Sequence, residues 1–273
     1  MAFDTRVVFL HIPKTAGQSV HAALMQLFGA DNVCKARVNE ALVLLTLEEI
    51  RRSRVFSGHF DWSMIDCVPY PKFVFTILRE PTERILSFYF FLRESAKTLT
   101  EEEINQPWNQ GKKAALKWSC DEYFCSNKPE FRMFINNHYN NFYAYYFAGR
   151  TFHGYQELTA LQNQHKFPDQ RIVEMALQNL SALDGVYAVD ELSSLERDLS
   201  RIAGRKVKKP LAEIRINVGT SDPKKRLDAL RECGATDATF EMINRMTRLD
   251  RQIWEKLFGA DSAGDSPADR PIA

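Results

Sequence analysis

Short apolar runs alternate with longer stretches of helical spacing along much of the chain. Val7-Val8-Phe9-Leu10, Val55-Phe56-Ser57, Phe73 through Leu78, and Gly185 through Val189 are continuous β-branched and aromatic segments. Such runs suit strands buried on both faces of a parallel sheet. Between them apolar positions recur every three or four residues. Val20, Ala23, Leu24 and Leu27 lead to Gly29; Ile85, Phe88 and Leu92 follow Pro81; Leu192, Leu195, Leu199 and Ile202 stop before Gly204. A proline suits the first turn of a helix. The alternation predicts an α/β fold, a parallel β-sheet flanked by helices. In such sheets ligands bind beyond the carboxyl ends of the strands. Three of these ends carry polar side chains: Lys14, His59 and Arg79.

The alternation is lost between Ser95 and Gly149. A polar stretch with Glu101-Glu102-Glu103 gives way to a region rich in Trp, Tyr and Phe, including Trp118, Tyr123, Phe131, Tyr143 and Tyr145. We read residues 94–150 as a helical insertion packed on the core, near the place where a substrate would enter, with most of its aromatics buried. Asp237 to Phe258 reads as one long helix, with Phe240, Ile243, Leu249 and Ile253 inward. The remaining 259–273, rich in Asp, Ser, Ala, Pro and Gly, reads as a disordered tail. The expectation is one domain over 1–258.

Charge narrows the picture. With 36 Lys+Arg against 35 Asp+Glu the formal net charge is +1, so no field of the whole molecule attracts nucleic acid, and a basic site has to be local. The five cysteines lack zinc-ligand spacing, and no metal is expected. Unpaired thiols, no leader-like start and no apolar run approaching the roughly 20 residues of a membrane span make a cytoplasmic location the expectation.

Chemistry concentrates in Phe9-Leu10-His11-Ile12-Pro13-Lys14-Thr15-Ala16-Gly17-Gln18-Ser19, set between a strand and a helix. Amide hydrogens at a helix start, a lysine and the hydroxyls of Thr15 and Ser19 make an anion site. The plainer alternative is a turn with a surface lysine. The string is not the ATP-binding pattern G-x-x-x-x-G-K-S/T, because Val8 and Pro13 stand where its glycines belong.

This string resembles the 5′-phosphosulfate loop of carbohydrate sulfotransferases, FHIPKTAGTS, with Gln18 the departure. Thr76 to Tyr89 is similar to the family's 3′-phosphate signature, LRDPVERxxSxY, with Glu80 in place of aspartate. The resemblance implies a P-loop-like sulfotransferase fold and the donor 3′-phosphoadenosine-5′-phosphosulfate (PAPS). Lys14, Thr15, Ala16, Gly17, Gln18 and Ser19 would hold its 5′-phosphate, with Lys14 reaching the bridging oxygen. Arg79 and Ser87 would hold its 3′-phosphate. Taken singly, Arg84 could instead pair with Glu80, and Glu83 could cap the helix.

Ser57-Gly58-His59 matches a Gly-His of the heparan sulfate 2-O-sulfotransferase branch, which makes His59 the candidate base and leaves His11 structural. Asn141 to Gly149 resembles a family stretch in which Tyr143 and Tyr145 replace glutamine and arginine. The cluster Arg205 to Lys209, with Arg215-Ile216-Asn217, falls where relatives carry a loop that covers the donor. The expected reaction is sulfuryl transfer to a hydroxyl of a carbohydrate or glycolipid. The alternatives are a P-loop kinase-like phosphotransferase and a non-catalytic PAPS- or glycan-binding module.

Overall fold

A computed structural model describes residues 5–164, 167–211 and 223–259. Four strands, β1 (Arg6–Leu10), β2 (Val55–Gly58), β3 (Lys72–Leu78) and β4 (Gly185–Ala188), form one parallel sheet in the order β2-β1-β3-β4. All four coincide within a residue with the predicted runs. From β1 the chain steps to one side for β2, then crosses to the other side for β3 and β4. The direction of winding therefore reverses between β1 and β3, and a crevice opens where two neighbouring strands send their connections opposite ways.

Alternation of side chains along the strands builds a core on each face. Val8, Leu10, Phe56, Val74 and Leu78 face the helices Phe142–Gly149, Asp169–Ser181 and Arg248–Phe258. Val7, Phe9, Val55, Phe73, Phe75 and Ile77 face the helices Gly17–Phe28 and Ser193–Ala203. A third cluster lies beside the sheet. There Ile85, Leu86, Tyr89 and Leu92 of the helix Pro81–Ala96 meet Ala115, Tyr123, Phe131, Tyr139 and Ile243. The expected aromatic insertion is thus helical, and Tyr123, Phe131, Tyr143 and Tyr145 are core residues.

The terminal segment departs from the single helix predicted. It breaks at Thr247 into Asp237–Met246 and Arg248–Phe258. Asn141 causes the break: its backbone N–H donates to Met246 O (2.6 Å), and its side-chain oxygen accepts from Leu249 N–H (2.7 Å). Both groups would otherwise belong to a continuous helix, so the chain bends around Asn141. Asp250 in the second helix then accepts from the amides of Tyr143 (3.2 Å) and Ala144 (2.9 Å). It caps the helix that follows Asn141. Residues 260–273 and the Arg215-Ile216-Asn217 stretch lie outside the described residues. No described helix is long and apolar enough to cross a membrane.

Candidate active site

Parallel register fixes which residues meet at the carboxyl edge. Leu10 lies opposite Gly58 and Thr76, so the residues following β1, β2 and β3 emerge side by side. His11 N–H donates to Gly58 O (2.9 Å), and the Thr76 hydroxyl donates to Leu10 O (2.8 Å), which ties this edge together.

The loop after β1 is held in an uncommon conformation. Lys14 and Ala16 have φ of 74° and 63°, left-handed values that cost a non-glycine residue on the order of 1 kcal/mol each. They turn the chain so that the helix Gly17–Phe28 starts directly at the sheet edge. No side chain caps that helix, and its first internal bond runs from Val20 N–H to Ala16 O. The amides of Gly17, Gln18 and Ser19 therefore point out of its end, an arrangement that favours an anion. Gly17 is required by close approach: a Cβ there would lie 1.7 Å from His11 Nε2. The Thr15 hydroxyl differs from the expectation. It is buried and donates to Ile12 O (2.8 Å), so it locks the turn and has no proton left for a ligand. Ser19 makes no side-chain bond among the described residues.

Three cations converge beside this loop. Lys14 Nζ sits 3.9 Å from the centre of the Phe91 ring. Burial, with the Arg79 and Arg226 guanidiniums nearby, pushes its pKa down to about 8. Burial lowers Arg79 too, with Arg226 the next cause. The Arg79 side chain makes no hydrogen bond or ion pair among the described residues, whereas Arg226 pairs with Glu83 at 2.5 Å. One carboxylate in contact does not balance three partly buried cations. Cations held this close raise the local positive potential and favour an anion beside them.

Tyr143 aims Arg79. Its hydroxyl donates to Arg79 O (2.9 Å) and accepts from Arg79 N–H (3.1 Å), pinning the backbone at the strand end. Ser87 lies farther along the helix Pro81–Ala96, half-buried and without a side-chain partner among the described residues. Arg84 does not pair with Glu80. It is fully buried, donates to His138 O (2.9 Å) and lies 4.1 Å from the Phe142 ring centre. Nor does Glu83 cap the helix; Glu80 does, accepting from Glu83 N–H (2.8 Å) and freeing Glu83 for Arg226.

On the other side of β1, the His59 ring stacks on His11 at 4.4 Å and meets Phe152 edge-on at 5.9 Å. His59 Nδ1 lies 2.8 Å from His11 O. A carbonyl only accepts, so Nδ1 carries the hydrogen and Nε2 of the neutral ring is the free acceptor. Burial, and to a smaller extent Arg37, holds His59 below the usual histidine pKa; the His11 carbonyl opposes them. His11 and His21 are shifted the same way, chiefly by burial, His21 to about 4. The imidazoles at this edge are neutral at pH 7.

Lys14, Arg79 and the loop amides thus form one cluster, with His59 beside it across His11. Arg226, Arg37 and the Tyr143 clamp were not found from sequence. Arg226 sits in the polar helix Pro223–Glu232, far along the chain, and no local pattern distinguishes it from a solvated arginine. Among the described residues no group of three or more His, Cys, Asp or Glu gathers as metal ligands.

An uncapped helix start at the switch point of a parallel sheet, with a histidine of lowered pKa alongside, places the chain among α/β domains with their site at the strand ends. The chain belongs to the sulfotransferase family, whose profile matches residues 1–253. Membership supports sulfuryl transfer as the class of reaction. No curated protein matches the chain.

Proposed function

We propose that the chain is a PAPS-dependent sulfotransferase, one domain over 1–258, acting on an acceptor hydroxyl of a carbohydrate or glycolipid. The observation that carries this reading is the convergence of Lys14, Arg79 and Arg226 on an uncapped helix start, with Glu83 the carboxylate in contact. PAPS supplies the sulfuryl group and a phosphate as its leaving group.

The chain's residues supply position and charge, which dominate transfers of this kind. The amides of Gly17, Gln18 and Ser19 hold the 5′-phosphate at the helix end. Lys14, charged when an anion lies beside it, neutralises the oxygen that gains charge as the bond to sulfur breaks. Arg79 and Ser87 bind the 3′-phosphate, Arg79 with the two-pronged geometry of a guanidinium. His59 Nε2 takes the acceptor proton, general-base help worth about 10²–10⁴-fold. Five free cysteines suit a reducing compartment and support a cytoplasmic location.

Adenosine 3′,5′-bisphosphate without metal should raise the melting temperature, since a ligand of the native state stabilises it. ATP, lacking the 3′-phosphate, should do so much less. Equal stabilisation by the two, or a strict magnesium requirement, points to the kinase-like alternative. Labelled PAPS incubated with a panel of glycans then separates an enzyme from a binding module.

A further inference from the structure

Phe152 meets the His59 ring edge-on and also lines a recess. The recess is shallow and open to solvent, with room for about one water-sized group. Asn136, Asn137 and Asn140 come from the end of the helix Pro129–His138 and the turn after it. Tyr145, Tyr146 and Tyr155, with Phe142 and Phe152, complete the lining. No Lys, Arg, Asp or Glu is among these residues.

The lining has a definite hydrogen-bonding character. Asn136 accepts from Asn140 (3.3 Å) and Asn137 accepts from Gln156 (3.4 Å). Their remaining amide groups make no bond among the described residues, and neither does the Tyr155 hydroxyl. Either orientation of a carboxamide leaves a donor or an acceptor for a hydroxyl, which can do both. Phe152 and Tyr155 add aromatic faces that suit the C–H side of a sugar ring. A carboxylate or sulfate placed here would lose water and gain no cation, a strongly unfavourable exchange.

We infer that this recess takes one ring hydroxyl of an uncharged sugar unit of the acceptor in place of a water, with Phe152 separating that unit from the adjoining one whose hydroxyl reacts at His59. The acceptor is then a neutral saccharide at the unit held there. This rests on the sulfotransferase reading above. A second recess, lined by Lys113, Trp118, Lys128, Glu130 and Phe131, carries two cations against one carboxylate and is the alternative place for an acidic sugar.

The two recesses give opposite results in one experiment. PAPS-dependent transfer is measured with neutral tetrasaccharides (cellotetraose, chitotetraose, maltotetraose), a heparan-derived tetrasaccharide and a tyrosine peptide. The proteins are the wild type, the Asn136→Ala/Asn137→Ala double variant, Tyr155→Phe and Trp118→Ala. Expected are neutral acceptors, a KM raised about fivefold or more for each hydrogen bond removed, and unchanged stabilisation by adenosine 3′,5′-bisphosphate. Tyr155→Phe keeps the ring and its contact with Tyr145 at 4.9 Å, so it tests the hydroxyl even where the double variant fails to fold. Transfer to the anionic sugar or the peptide alone overturns the inference. So does a KM that responds to Trp118→Ala and to neither recess variant. Absence of bisphosphate stabilisation in the wild type instead brings down the donor reading, and this inference with it.

Discussion

The His59 ring has one nitrogen left to accept a proton, and its surroundings fix which. With Nδ1 committed to His11 O at 2.8 Å, Nε2 is the acceptor, and burial with the Arg37 guanidinium keeps the ring neutral. Bound phosphates favour the charged ring, whereas in the free protein burial pushes its pKa down. The kcat/KM for PAPS should therefore rise with pH through a value below the ordinary 6.5 and be flat near neutrality. His59→Ala should lose about 10²–10⁴-fold in turnover, bind adenosine 3′,5′-bisphosphate normally and lack that acid limb. A pH–rate profile of the variant with the limb intact would assign it to another group. Lys14 titrates on the other side of neutrality, near 8 in the free protein. A bound anion favours its charged form, so binding should take up about half a proton near pH 8, and affinity should fall as pH rises further. Calorimetry in buffers of different ionisation enthalpy reads that uptake directly. No uptake between pH 7.5 and 9 would remove Lys14 from the phosphate.

Elements distant in sequence meet at the ends of β1 and β3, and they explain what was legible beforehand. The loop from His11 to Ser19 and the segment from Arg79 to Ser87 were readable because each is local. A strand, a turn and a helix start follow one another within a dozen residues, and the chemistry rides on them. Tyr143 was read only as a departure from a family pattern. Its function follows from where the helix Phe142–Gly149 lies, which depends on Asn141 and on Asp250, more than a hundred residues later. Arg226 and the recess beside Phe152 are products of packing in the same sense. The break at Thr247 was missed because the apolar spacing runs through it; the side chain that splits the helix belongs to another segment. If Tyr143 aims Arg79, Tyr143→Phe should remove both hydrogen bonds to its backbone and weaken bisphosphate binding about five- to tenfold. It should leave turnover at saturating donor within about twofold of the wild type, since neither the base nor the leaving oxygen is touched. Thermal-shift titration gives the affinity. An unchanged affinity in a folded variant would leave Tyr143 as core packing alone.

Across the whole molecule, titratable groups kept neutral by burial set how stability responds to acid. His11, His21, His59 and His138 all have lowered pKa values, with burial the largest cause and His21 and His138 near 4. In the unfolded chain each would titrate near 6.5. Below that pH the unfolded state binds more protons than the native one, so stability falls as pH falls. His138, near 4 and well buried, contributes a loss on the order of 1–2 kcal/mol by pH 5, a sizeable part of a typical total of about 5–15 kcal/mol; the more exposed His21 contributes less, because solvent screens it. Asp250 works in the opposite sense. Burial raises it to about 7, against the amides it caps and Arg84, so its charged form costs stability above that pH and acidification relieves the cost. One such carboxyl does not offset four histidines. The melting temperature should drop between pH 7.5 and pH 5, a window above the range in which ordinary exposed carboxylates titrate. Asp250→Asn has no such relief and should drop more steeply over the same window, whatever its stability at pH 7.5. A melting temperature that holds or rises on acidification would mean that these histidines take up protons within the folded protein, and with them the case for a neutral His59 would fail.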